Sequence, residues 1–113
     1  MIELVFGWPP RELSPNARVH WATKAKAAKK YKQDCGWICK AIRFRPRKEH
    51  TADLVIQFCP PDNRRRDVDN MLSSCKALFD AVSESLGIDD SEFTYEISKA
   101  EPVKNGAVKV VIT

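Results

Sequence analysis

Asp67-Val68-Asp69-Asn70-Met71-Leu72-Ser73-Ser74-Cys75-Lys76-Ala77-Leu78-Phe79-Asp80-Ala81-Val82-Ser83-Glu84-Ser85-Leu86-Gly87 is the stretch on which the reading of this 113-residue chain turns. Met71, Leu72, Cys75, Leu78, Phe79, Val82 and Leu86 recur at spacings of three and four, which predicts one helix from Met71 to Leu86 with a wide apolar face. Ser73, Lys76, Asp80 and Ser83 run along the opposite face, and Asp69 points the same way as Lys76, two turns earlier. Gly87 stands where a left-handed cap ends such a helix. Just before the stretch come three cations, Arg64, Arg65 and Arg66. Just after it, beyond Ile88, comes a second acidic pair, Asp89-Asp90.

Outward from this helix the chain alternates. Ile2, Leu4 and Phe6 alternate with Glu3 and Val5 as a first strand, ended by Pro9-Pro10. Ser14-Pro15 has the makings of a helix start, Ser as cap and Pro in the first turn. Trp21, Ala25, Ala28, Cys35, Ile38, Cys39 and Ile42 form an apolar stripe that predicts a first helix over 21–42. Two readings of its approach stay open: Trp21 begins the core face and its polar neighbours are solvated, or Asn16, Arg18, His20 and Trp21 face a ligand. Arg43 to His50, with Pro46, reads as an exposed loop. Ala52 to Cys59 is a second strand, stopped by Pro60-Pro61. Phe93, Tyr95 and Ile97 mark a third, and Ala107 to Thr113 a fourth, with Asn105-Gly106 as a hairpin turn between them. The expected architecture is α/β: a single two-layer domain over 1–113, with a mixed four-stranded sheet and two helices in the order β-α-β-α-β-β.

Hydrophobic content of 43% with 30% charged residues excludes wholesale disorder. A net charge of +4 favours a polyanionic partner. Lys24, Lys26, Lys29, Lys30 and Lys32 crowd the first half of the first helix, either as a solvated face or as a surface for phosphates. No apolar run approaches the ~20 residues of a membrane span, and Met1 to Phe6 lacks the form of a signal peptide. The expectation is a cytoplasmic protein with no membrane partner. Cys35, Cys39, Cys59 and Cys75 fall at apolar positions without a Cys-x-x-Cys pair, as buried thiols do.

The chemistry lies with the acids. If Asp67 to Asp69 is extended, both carboxylates project to one side, as oxygen ligands for a hard cation would. Asp69 or Asn70 is equally suited to cap the helix, where the macrodipole favours an acid. The capping role does not account for Asp67. A helix of about 16 residues is about 24 Å long, so spacing alone does not bring Asp90 back to Asp67.

Arg65-Arg66-Asp67-Val68-Asp69-Asn70, then Lys76, then Phe79-Asp80-Ala81, then Gly87-Ile88-Asp89-Asp90-Ser91 resemble the signature of the RusA family of Holliday-junction resolvases. These are small dimeric endonucleases of bacteria and phages. Pro9-Pro10, Ser14-Pro15-Asn16-Ala17-Arg18 and His20-Trp21 are similar to the amino-terminal region of phage-type members. The resemblance spans most of the chain. It implies a magnesium-dependent endodeoxyribonuclease, with Mn²⁺ as a possible substitute ion, that resolves four-way DNA junctions in recombination and repair, in the cytoplasm and without a nucleotide cofactor. Asp67, Asp69 and Asp90 match the family's essential, metal-binding acids, and Lys76 its essential lysine. Arg64, Arg65, Arg66, Asn16, Arg18, His20 and Lys24 become candidates for DNA contact, and paired cuts imply a homodimer. In the free protein the acids are expected to repel one another and raise a carboxyl pKa, until a metal or neighbouring cations compensate. The alternative is a protein of the same fold that binds branched or duplex DNA without cutting it.

Overall fold

The computed structural model describes residues 1–43 and 48–113, so residues 44–47 of the expected 43–50 loop lie outside the described residues. Four strands, β1 (Ile2–Gly7), β2 (Ala52–Cys59), β3 (Phe93–Lys99) and β4 (Ala107–Ile112), form one sheet in the order β1-β4-β2-β3. The helices are α1 (Trp21–Ile42), α2 (Val68–Ser74) and α3 (Lys76–Leu86). Alternation decides which face of the sheet they cover. Leu4 and Phe6, Leu54, Ile56 and Phe58, and Val108, Val110 and Ile112 are almost sealed from water. Val5, Val55 and Lys109 on the other face are exposed, so the sheet carries helices on one side only, as a two-layer α/β domain. Leu78, Val82 and Leu86 of α3 lie in the same core with no exposed surface, each contributing roughly 1.5–3 kcal/mol.

Three sequence expectations need correction. The Met71–Leu86 segment is two helices, not one. Cys75 leaves the helical run at φ −97°, ψ 11°, its N–H reaching the carbonyls of Leu72 and Ser73. The Ser74 hydroxyl donates to the carbonyl of Asn70 at 2.7 Å, the kind of back-bonding that bends a helix. Second, Ser14-Pro15 opens no helix. The Ser14 hydroxyl accepts instead from the amide of Asn16, and α1 starts at Trp21, where His20 Nδ1 accepts from the amide of Ala22 at 3.2 Å. Trp21 itself is 76% exposed and Ala25 is exposed too. The buried stripe of α1 runs instead through Tyr31, Cys35 and Cys39, with the Tyr31 hydroxyl donating to the carbonyl of Gly7 at 2.6 Å.

Third, Asn105-Gly106 is a turn but not a β3–β4 hairpin. Both residues have positive φ, 66° and 72°, as a tight turn of this composition requires. Yet β2 lies between β3 and β4, parallel to the first and antiparallel to the second. After β3 the chain crosses the end of β2, the amides of Ala100 and Val103 donating to the carbonyls of Phe58 and Pro60. The turn then sends β4 back along the other side. Residue character explains the choice. β4 presents three sealed apolar residues and suits an interior position, whereas β3, with Thr94, Glu96 and Ser98 exposed, suits an edge.

The four cysteines are free and buried, and burial pushes the Cys35 and Cys75 thiols up to about 12. Among the described residues no helix is long and apolar enough to cross a membrane.

Gly106 carries a second constraint beyond its φ, because a Cβ placed there would lie 2.8 Å from the Trp8 side chain. Gly106→Ala is therefore expected to destabilise the fold by about 2–4 kcal/mol, combining left-handed backbone cost with overpacking. The check is a lowered urea midpoint with an unchanged slope. An unchanged midpoint would mean that the turn relaxes freely away from Trp8.

Candidate nucleic-acid interface and acidic site

Two sequence-distant segments meet at a cleft of about 460 Å³. One wall comes from Trp8, Pro9, Pro10, Arg11, Ser14 and Asn16, the other from Arg65, Arg66, Asp67, Asn70, Met71 and Ser74. The first segment is shaped by the two prolines and the short 3₁₀ turn Arg11–Leu13, anchored by buried Leu13. The second is shaped by Arg66. Its guanidinium makes a 2.9 Å ion pair with Asp62, donates to the carbonyls of Asp62 and Arg64, and lies 5.7 Å over the Trp8 ring. With only 20% of its side chain exposed, Arg66 is a clamp on its own loop. The Arg66 hydrogen bond, helped by the amide of Arg64, holds the Asp62 carboxyl below its ordinary range.

Asp67 occupies the N-cap of α2 with extended backbone, φ −82° and ψ 136°, but its side chain makes no capping bond. Asp67 lines the cleft. An acid at an N-cap ordinarily stabilises its helix by about 1 kcal/mol through that bond, so its absence leaves Asp67 available for another contact. Asp69 is exposed in the first turn of α2 and is therefore helical, not extended, and it is not the cap. The expectation that Asp67 and Asp69 share one extended side is not met. Among the described residues, neither carboxylate has a hydrogen-bond or ion-pair partner in the chain.

The second half of the motif does return. Gly87 takes the left-handed cap at φ 72° and its amide donates to the carbonyl of Ser83. The Ser83 hydroxyl donates to the carbonyl of Ile88 at 2.5 Å, and Ile88 is buried. This reversal lays the next residues back along α3. Asp89 caps the following 3₁₀ turn, accepting from the amide of Ser91. Asp90 pairs with the Lys76 ammonium, which also pairs with Asp80 at 2.7 Å. Lys76 thus bridges two acids. Its pKa is raised by its bonds to Asp80 and Asp90, and the Asp90 carboxyl is lowered chiefly by the bond from Lys76. At Asp90 the expected rise does not occur, because the lysine supplies the compensating charge. Lys76 is exposed and the two acids are only half-buried, so the worth of these pairs to stability is small.

The remaining candidates divide. Asn16 and Arg65 are in the cleft; Arg64 is exposed and 3.7 Å from Asp62. Arg18, His20 and Lys24 are exposed beside or on the outward start of α1, and none of them lines the cleft. His20 packs at 5.5 Å against Trp21. Sequence reasoning gave no role to Trp8, and placed Asp80 on the stripe of Lys76 without pairing the two. The i,i+4 spacing of Lys76 and Asp80 was the available signal for the latter. For Trp8 there was none, because its role depends on Arg66 and Gly106.

The three acids supply only carboxylate oxygens, the donors a hard divalent cation prefers. As they stand they do not form a ready ion site. Asp90 is committed to Lys76, and among the described residues no three His, Cys, Asp or Glu side chains are grouped to hold one ion.

The fold and site together define a two-layer α/β domain with a mixed cleft and a pair of acids bridged by a lysine. No protein-family profile matches the chain. An uncharacterized protein of Xylella fastidiosa (strain Temecula1 / ATCC 700964) is 36% identical over 121 aligned positions, covering 100% of this chain and 76% of that protein. The chain belongs to one family with it.

A carboxyl lowered on folding contributes stability above the unfolded Asp pKa of about 3.9, and that contribution is lost as pH falls through the lower folded value. A carbon-detected NMR titration should therefore find Asp90 below the ordinary Asp value, and Lys76→Met should return it towards that value. Ordinary titration of Asp90 in the unmodified chain would show that the bridge does not persist in solution.

Proposed function

We propose that this chain is a structure-selective endodeoxyribonuclease that hydrolyses phosphodiester bonds in branched DNA, four-way junctions above all. In this reading it works as a homodimer in the cytoplasm, in recombination and repair. The observation that carries the proposal is the return of Asp90 onto Lys76. It returns the later acid of the RusA-like motif from the far end of α3, about 16 Å long, to the lysine of that motif at its start. Support also comes from Asp67, which lines a cleft with Arg65 and Asn16 while its carboxylate forgoes the helix cap.

Each residue then has a role within its chemistry. Lys76, held protonated by its two acids, offers a fixed positive charge, and an arriving phosphate oxygen takes the place of one carboxylate. Arg65 and Arg64 contact flanking phosphates, and Arg18, His20 and Lys24 extend that surface along α1. Asp67 and Asp69 orient a water and one of them accepts its proton as it attacks phosphorus, while the bond from phosphorus to the leaving sugar oxygen breaks and that oxygen takes a proton from Lys76 or from water. Magnesium, with manganese as its substitute, is the ion this reading assigns to Asp67, Asp69 and Asp90. Binding it requires Asp90 to leave Lys76 and the carboxylates to draw together.

One observation favours a second reading: the acids are not gathered for an ion, whereas the basic half of α1 is freely exposed. That arrangement fits a protein that holds branched or duplex DNA without cutting it. Cleavage of synthetic four-way junctions with Mg²⁺ or Mn²⁺ separates the two. Under the first reading, Asp67→Asn and Asp69→Asn each lower the cutting rate by about 10²–10³-fold, the scale for losing one electrostatic group at a reacting centre, and leave junction binding intact. Salt-sensitive binding without any cutting establishes the second. If DNA binding shows no salt dependence, both fail.

A further inference from the structure

We propose that the cleft between the Trp8–Asn16 segment and the start of α2 is a seat for one unstacked nucleotide of the DNA, next to the phosphate at the acids. The proposal rests on the DNA-directed reading above and gives that substrate a subsite. Size is the first argument. At about 460 Å³ the cleft lies within the range of small-ligand sites, roughly 300–1,000 Å³. That volume can take a base with its sugar. A branch point interrupts pairing and stacking, so a nucleotide is withdrawn there at least cost.

The walls are the second argument. Trp8 packs edge-on against Phe58 at 6.1 Å and is backed by Gly106. The Arg66 guanidinium lies over the Trp8 ring and is fastened by Asp62 and two carbonyls. A guanidinium laid on an indole offers its outer face as a plane on which an unstacked base rests, and a plane already held loses little entropy when a base arrives.

Polar chemistry selects the occupant. Asn16, Asn70 and Asp67 line the cleft, and among the described residues their side chains have no hydrogen-bond partner in the chain. Two amides and a carboxylate match the mixed donors and acceptors of a base edge. A carboxylate repels a bare phosphate but accepts from the amino groups of a base. Arg65, also in the cleft and without an ion-pair partner among the described residues, is left for the phosphate of the same nucleotide.

The test uses the full chain, labelled with ¹⁵N and titrated with each deoxynucleoside 5′-monophosphate and, separately, with inorganic phosphate. The three tryptophans make it selective, because Trp21 and Trp37 are exposed on α1 and only Trp8 lines the cleft. The expected result is a saturable shift of the Trp8 indole and of the Asn16 and Asn70 side-chain amides with nucleotides. Asn16→Ala should weaken that binding by about fivefold, the loss of one net hydrogen bond, with thermal stability unchanged. Equal shifts with inorganic phosphate, shifts confined to Trp21 and Trp37, or no shift at all would each overturn the seat. Junction cutting is measured in parallel. A filled seat without cutting refutes the nuclease and keeps the seat, and cutting with an empty cleft does the reverse.

Discussion

The reversal at Gly87 is the constraint on which the candidate site depends. A helix of eleven residues is about 16 Å long, so the residues beyond its end would ordinarily lie far from its start. Here the left-handed Gly87, the Ser83 hydroxyl on the Ile88 carbonyl and the burial of Ile88 fold the chain back at once. The core decides which side it returns along. Leu78, Val82 and Leu86 bury one face of α3, which leaves the face bearing Lys76 and Asp80 for the returning Asp90. The same reversal sets Phe93 beside Ala52 and starts β3 parallel to β2, with Tyr95 packed at 5.2 Å on Phe79.

The loop before α2 shows a different balance. Arg66 is used for structure: it closes its loop on Asp62 and covers Trp8. Asp67, next to it, does the opposite and leaves a helix cap unmade. Groups that forgo an available stabilising contact while lining a concave surface are where departures from local rules point to function. Asp67 and Arg66 together explain why a run of three arginines does not act as one patch. One is a clamp, one lines the cleft, and one is exposed beside Asp62.

In α1, periodicity and packing part company. The stripe of small and aromatic residues runs its whole length, but only the part from Ala27 onwards packs against the rest of the fold. The lysines that crowd the first half agree with that outcome, since a helix start with nothing to cover it needs charge and not core. Lys32 is the exception, reaching Glu84 of α3 at 2.5 Å.

The sequence by itself determined the element order, the strand faces, the buried thiols, the Gly87 cap and the two acidic groups. All of these follow from local pattern: alternation, three-four spacing, and residues that tolerate positive φ. Only the tertiary structure decided that β4 sits between β1 and β2, that the second helix breaks at Cys75, that Trp21 stays in water, and that Asp90 meets Lys76. Each of those depends on which of several locally allowed surfaces is buried against another, a choice made by the whole core. Asp67 belongs to both. Its place before a helix was legible in the chain, but that it would line a cleft with its carboxylate not capping α2 became visible only once Trp8 and Asn16 were folded near it.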